Sequence, residues 1–117
     1  AGEVDHLTPQ PGDSGLQRGP VFIESATILA AESFPVRYSL LLKGNLPTPC
    51  HQIRAIVSGP TDDNVIRVEV YSLIERKVLC AQVLQAVEVN INLPDGMAPG
   101  EYMVVINEDL TLSLSVQ

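Results

Sequence analysis

From residue 20 onward the chain alternates apolar and polar residues in short runs, and clusters of Pro, Gly, Asn and Asp separate the runs. A period of two, with breaks at turn-forming residues, predicts half-buried β-strands. Residues 21–31 alternate at Phe22, Ala26 and Ile28, and Glu24 interrupts the series, which predicts a strand carrying a bulge. Residues 32–35 then form a turn ending in Pro35. In 36–43, Val36, Tyr38, Leu40 and Leu42 share a face, and Arg37, Ser39 and Lys43 mark the solvent side. Residues 52–58 place Ile53, Ala55 and Val57 together. After the turn at 59–64, residues 65–73 turn Ile66, Val68 and Val70 one way and Arg67, Glu69 and Tyr71 the other, so these two strands form a hairpin. Residues 86–93 point Val87, Val89, Ile91 and Leu93 inward. Residues 101–107 do the same with Tyr102, Val104 and Ile106, and residues 110–116 with Leu110, Leu112, Leu114 and Val116. Residues 74–85 fit either a helical turn or an irregular edge segment. About seven short strands without a helix predict an antiparallel β-sandwich.

The first 19 residues lack this pattern; they are polar, rich in Pro and Gly, and read as a flexible tail ahead of a domain over 20–117. A length of 117 residues suits one domain, and 45% apolar residues support a core. No run reaches the ~18 apolar residues of a membrane helix. Seven basic against 14 acidic residues give a net charge of -7, which disfavours nucleic acid and anionic membranes as partners. Only five residues are aromatic, Phe22, Phe34, Tyr38, Tyr71 and Tyr102, so a base-stacking or sugar-stacking platform is not expected.

The two cysteines, Cys50 and Cys80, both fall at strand–loop junctions. They form either one disulfide or two buried thiols, and their position favours the disulfide. Such a bridge closes a loop of about 31 residues, worth up to roughly 3.5–4 kcal/mol by loop entropy. Single cysteines this far apart do not make a zinc site. The chain begins without a basic and apolar leader, and the disulfide favours an exported protein whose signal or anchor has been removed: secreted, periplasmic or at the cell envelope.

Leu93-Pro94-Asp95-Gly96 leads into Pro99-Gly100-Glu101-Tyr102, with Val104, Ile106 and Asn107 beyond. This stretch resembles the end of bacterial immunoglobulin-like or fibronectin-like domains, where a turn enters the penultimate strand through Gly-x-Tyr. Together with Glu32-Ser33-Phe34-Pro35-Val36, Gly44-Asn45-Leu46-Pro47, Cys50 and Cys80-x-Gln82, it is similar to uncharacterised small exported bacterial domains over roughly residues 20–116. The resemblance implies an immunoglobulin-like sandwich in an exported protein and brings no activity. The chain departs from antibody domains in having no Trp and a shorter cysteine spacing, so the disulfide staples a loop rather than joining the sheets.

The chemistry-bearing residues mostly have plainer explanations. Cys50-His51 are adjacent and therefore point to opposite faces, which is poor geometry for a nucleophile and its base. Asp62-Asp63-Asn64 and Asn107-Glu108-Asp109 offer oxygen ligands without the spacing of a calcium loop, and turns account for them. Glu69 and Glu88 are a carboxylate pair only if they share an outer face. No catalytic, cofactor or metal site is expected, and the protein is not expected to be an enzyme. The loop Asn45, Leu46, Pro47, Thr48 and Pro49 is stiffened by two prolines and tied by Cys50. A stiff loop serves either a plain connection or a binding surface with little entropy to lose. The expected function is a non-catalytic accessory or protein-interaction module at the bacterial cell envelope. The alternative is a secreted protease inhibitor acting through rigid sandwich loops. A homodimer through an end strand, 21–31 or 110–116, is a further expectation.

Overall fold

Eight strands form among the described residues of the computed structural model, which are 7–31 and 36–117. They are β1 (Leu16–Gly19), β2 (Phe22–Ala31), β3 (Arg37–Leu46), β4 (Gln52–Ser58), β5 (Val65–Glu75), β6 (Gln85–Asn92), β7 (Gly100–Ile106) and β8 (Leu110–Val116). The turn expected at 32–35 and the histidine His6 lie outside the described residues. Two sheets pack face to face: β2-β3-β6, and a five-stranded sheet of β1, β4, β5, β7 and β8. The alternating residues meet between them, and Leu40, Leu42, Ile66, Val68, Val104 and Ile106 are almost wholly buried. The chain is therefore a β-sandwich, as the period of two predicts.

The antiparallel expectation is corrected at one place. β5 pairs with β7 in parallel, Val65 opposite Met103 through Val68 opposite Ile106. β4 takes the other edge of β5, as the hairpin requires. β1 joins β5 antiparallel at Ser72 to Glu75, on the same edge as β7 and end to end with it. That arrangement leaves a break in the edge at Val70. The Asn107 side chain spans it: Oδ1 accepts from the Val70 N–H (2.7 Å) and Nδ2 donates to the Val70 carbonyl (3.0 Å). One primary amide thus substitutes for the missing peptide unit.

The flexible tail expected over 1–19 is, from Leu7 on, a docked strap. The Ala55 N–H on the outer edge of β4 donates to the Leu7 carbonyl (2.8 Å). A 3₁₀ turn follows at Pro11–Gly15 and carries Asp13 onto Arg54, whose Nε and Nη2 reach the two carboxylate oxygens at 3.0 and 3.3 Å. β1 then completes the crossing, and Arg18 lies 4.0 Å above the centre of the Tyr71 ring. The strap explains why Tyr71, Ser72 and Leu73 are buried in succession, although strict alternation would leave Tyr71 in water. Arg54, a residue type that is seldom buried, is covered because Asp13 pairs with it.

β2 contains the expected bulge, with the register shifting between Ile23 and Ser25. The shift inverts the phase before it, so Ile23 packs on the core and Phe22, expected inward, is exposed. β3 runs three residues past its expected end. A Cβ at Gly44 would sit inside contact distance of the Phe22 carbonyl oxygen, so only glycine lets β2 approach and the strand continue to Leu46.

Candidate functional site

Residues 76–84 carry the chain from β5 in one sheet to β6 in the other. Their sequence, RKVLCAQVL, has no period of two and takes no strand or helix. Cys80 in its middle is bonded to Cys50, with the two Cα atoms 6.3 Å apart. The expected disulfide is present, and it staples this crossover to the loop between β3 and β4. Around it Leu79 is 99% exposed, Leu84 61% and Val83 56%, and Val78 is exposed too. Exposed Phe22 lies opposite Asn45, and Asn45 opposite Ala86, abreast across the end of the three-stranded sheet where the arm enters β6. Arg76 and Lys77 stand at the root of this arm, on a chain of net charge -7.

The loop singled out in the sequence meets this end of the molecule but does not present its apolar residues. Asn45 and Leu46 belong to β3, Leu46 is in the core, and Thr48 is buried. Thr48 Oγ1 bonds His51 Nδ1 (2.7 Å) and accepts from the Cys50 N–H (3.2 Å), which ties the loop to itself. Pro47 is half-buried, and Pro49 is the exposed member of the five. Proline stiffening here serves the connection, and the exposed apolar surface is on the other side of the disulfide.

A concavity of about 470 Å3 lies on the outer face of the five-stranded sheet, above the break at Val70. Arg18–Glu69 and Arg67–Glu108 ion pairs ring it. Each charge already has an opposite partner, so the groove offers no unbalanced group to a ligand.

The remaining candidates do not assemble. Glu69 is in β5 and Glu88 in β6, on different sheets, so they form no carboxylate pair. Cys50 is oxidised and His51 turns to Thr48. Asn64 holds a left-handed turn, and its amide donates to the Glu101 carbonyl (3.1 Å). Among the described residues no three His, Cys, Asp or Glu side chains gather as a metal site would need. Among the described residues one carboxylate is perturbed, and it is structural: hydrogen bonds from Arg54 and the Gln10 N–H hold Asp13 below the usual aspartate range.

No solved structure matches the chain. It is 28% identical over 91 residues to a protein of Herpetosiphon aurantiacus described as an uncharacterized 10.2 kDa protein in the HgiCIIM 5' region. The match covers 75% of this chain and 93% of that protein. The model of the ORF11 beta-sandwich domain matches residues 40–116, from β3 through β8. The strap, β1 and β2 precede that span, whereas both cysteines and the arm fall within it. With two thirds of its length matched, the chain belongs to the ORF11 beta-sandwich domain family.

Proposed function

We propose that this domain is a non-catalytic, exported protein-interaction module of the bacterial cell envelope, and that the disulfide-held arm at 76–84 is its contact surface. The carrying observation is Leu79, wholly exposed beside exposed Val83 and Leu84 on a segment covalently kept off the core. Contiguous apolar side chains in water favour association, and a pinned segment loses little entropy when it docks. The disulfide also supports an oxidising compartment. An inhibitor would need the 44–50 loop to project into a cleft. With Leu46 and Thr48 buried, the arm is the better-supported surface.

The immunoglobulin-like type is part of this proposal. Tyr102 Oη donates to the Ala98 carbonyl four residues upstream (2.7 Å), the bond made by the tyrosine corner of such sandwiches. The departure is β5, which stands beside β7 in parallel.

The test is a cross-linked pull-down from envelope extract of the source organism, comparing the native domain with a Leu79→Ser/Leu84→Ser variant. A partner captured by the first and lost by the second, with both folded, is the expected result. Equal capture by both refutes the arm as the contact.

A further inference from the structure

β6 is the outer strand of the three-stranded sheet, and its far edge is unpaired among the described residues. The ladder shows which groups face outward. The Leu93 N–H donates to the Tyr38 carbonyl (3.1 Å), so in β6 the odd-numbered residues bond β3. Ala86, Glu88, Asn90 and Asn92 therefore direct their backbone N–H and C=O groups away from the sheet. One of these, the Ala86 carbonyl, takes a bond from the Gln85 side-chain amide (3.3 Å). Strand edges of this kind are usually blocked by bulges, prolines or covering segments. β2 has its bulge, β4 has Leu7 along it, and β8 packs near β2. β6 has neither proline nor bulge, and it begins where the apolar arm ends.

We infer that β6 and the arm together bind a second copy of this chain, in an antiparallel two-fold pairing that joins the two three-stranded sheets into one. The inference rests on the arm being a contact surface and names its occupant. An isologous pairing centred on Val89 sets Glu88 opposite Asn90 of the second copy and Ala86 opposite Asn92, so like charges do not meet. Each outward-facing pair then exchanges two backbone hydrogen bonds. The same two-fold axis carries each arm toward the other copy's Pro94-Asp95-Gly96-Met97 turn. There Leu84 falls opposite half-buried Pro94 of the second copy when the same register is extended. The self-complementarity of this register, which pairs no like charges and sets an apolar residue of the arm on an apolar residue of the turn, is what favours a second copy over an unrelated chain. An eight-residue edge is only about 27 Å long at ~3.4 Å per residue, a strip well short of the roughly 800 Å2 per partner of a stable interface. The arm has to supply the rest, and the dimer is a weak one.

The experiment is sedimentation equilibrium of the oxidised protein from about 10 μM to about 1 mM, with residue-resolved amide exchange at both limits. Mass should rise from 12.6 kDa toward twice that value. The amides of Glu88, Asn90 and Asn92 should slow with concentration, while those of Val87, Val89 and Ile91, bonded to β3, should not change. Asn90→Pro removes an outward N–H, and Leu84→Ser removes apolar surface. Each should weaken association by about tenfold or more, and Leu84→Ser is at an exposed site that leaves the fold intact. A monomer at every concentration overturns the pairing, as does a dimer whose Glu88, Asn90 and Asn92 amides exchange at the dilute rate. A monomer whose arm variants still lose a partner from extract sinks the two-fold pairing alone and leaves the interaction module standing.

Discussion

Asn107 can be tested as the residue that closes the sheet. Replacing it with Ala removes both side-chain bonds to Val70 and leaves that peptide's N–H and C=O at the break between β1 and β7. The groove above is open, so water can reach the site, and the loss is about 1–1.5 kcal/mol per bond rather than the full cost of a dry unsatisfied group. Asn107 also sits at φ 53°, a left-handed conformation that Asn tolerates and Ala resists by about 1 kcal/mol. The expected loss is about 3–4 kcal/mol. An unfolding entropy of ~2.1 cal/mol/K per residue over 117 residues gives about 4 °C per kcal/mol, hence a fall in Tm of about 12–16 °C. Asn107→Gly separates the contributions: glycine accepts the left-handed backbone, so the variant should lose only the bonds, about 2–3 kcal/mol. Asn107→Asp adds a pH signature. The carboxylate faces the Val70 carbonyl, which raises its folded pKa, so this variant should gain stability relative to the native protein as pH falls and the acid becomes a donor. Thermal and urea unfolding of the four proteins at neutral and acid pH decide the matter. A loss below about 1 kcal/mol for both Ala and Gly would show that the amide does not close the ladder.

Three further outcomes are expected. In the β7–β8 hairpin, Glu108 is also left-handed at φ 59°. Glu108→Gly should stabilise by up to about 1 kcal/mol, because relief of the backbone outweighs glycine's entropy and the exposed Arg67 pair; a lower Tm refutes this. Cys50→Ala/Cys80→Ala should lose at most about 3.5–4 kcal/mol in urea unfolding, and an unchanged midpoint would mean the bridge constrains nothing in the unfolded chain. Asp13, whose folded pKa lies below its ordinary 3.8, contributes stability that is complete above that value and is lost as pH falls through its lower folded one. The strap should therefore loosen first in acid. Protection of the Ala55 amide, bonded to Leu7, measured against its intrinsic exchange rate at each pH, should fall there, and Asp13→Asn should show the same low protection already at neutral pH. An Ala55 protection factor that does not change with acid would refute the clip.

Strands with one face dry and the other wet were legible residue by residue. β6, β7 and β8 keep their expected phase because their outer residues are mostly open to solvent among the described residues, so burial follows the period of two. β5 shows where that signal stops. Leu73 and Tyr71 are buried by a strap some fifty residues earlier in the chain, and no local pattern announces a cover supplied from a distance. β1 was illegible for the converse reason: LQRG has no alternation of its own and is a strand because β5 offers it an edge. The break at Glu24 revealed the bulge, but a bulge reverses the phase before it, and this sets Ile23 rather than Phe22 against the core. Turn residues fix where strands stop without saying which strands become neighbours, so the parallel β5–β7 pair could not be read from them.

At the candidate site, pairing was legible and exposure was not. Two cysteines admit one internal bridge, and their place at strand–loop junctions favoured that bridge over two buried thiols, as Cys50–Cys80 is found. Which flank of the bridge faces water depends on competition for the core. Leu46 and Thr48 continue β3 and share its burial, although two prolines mark their segment as a loop. Val78, Leu79, Val83 and Leu84 are as apolar as any strand here, yet their run lacks the alternation that would set it on a sheet, and the bridge at Cys80 holds its middle beside Cys50. Hydrophobicity without period, next to a covalent anchor, was the available signal. It separates residues that complete the domain's own core from residues left in water, and the edge of β6, unpaired among the described residues, begins where those residues end.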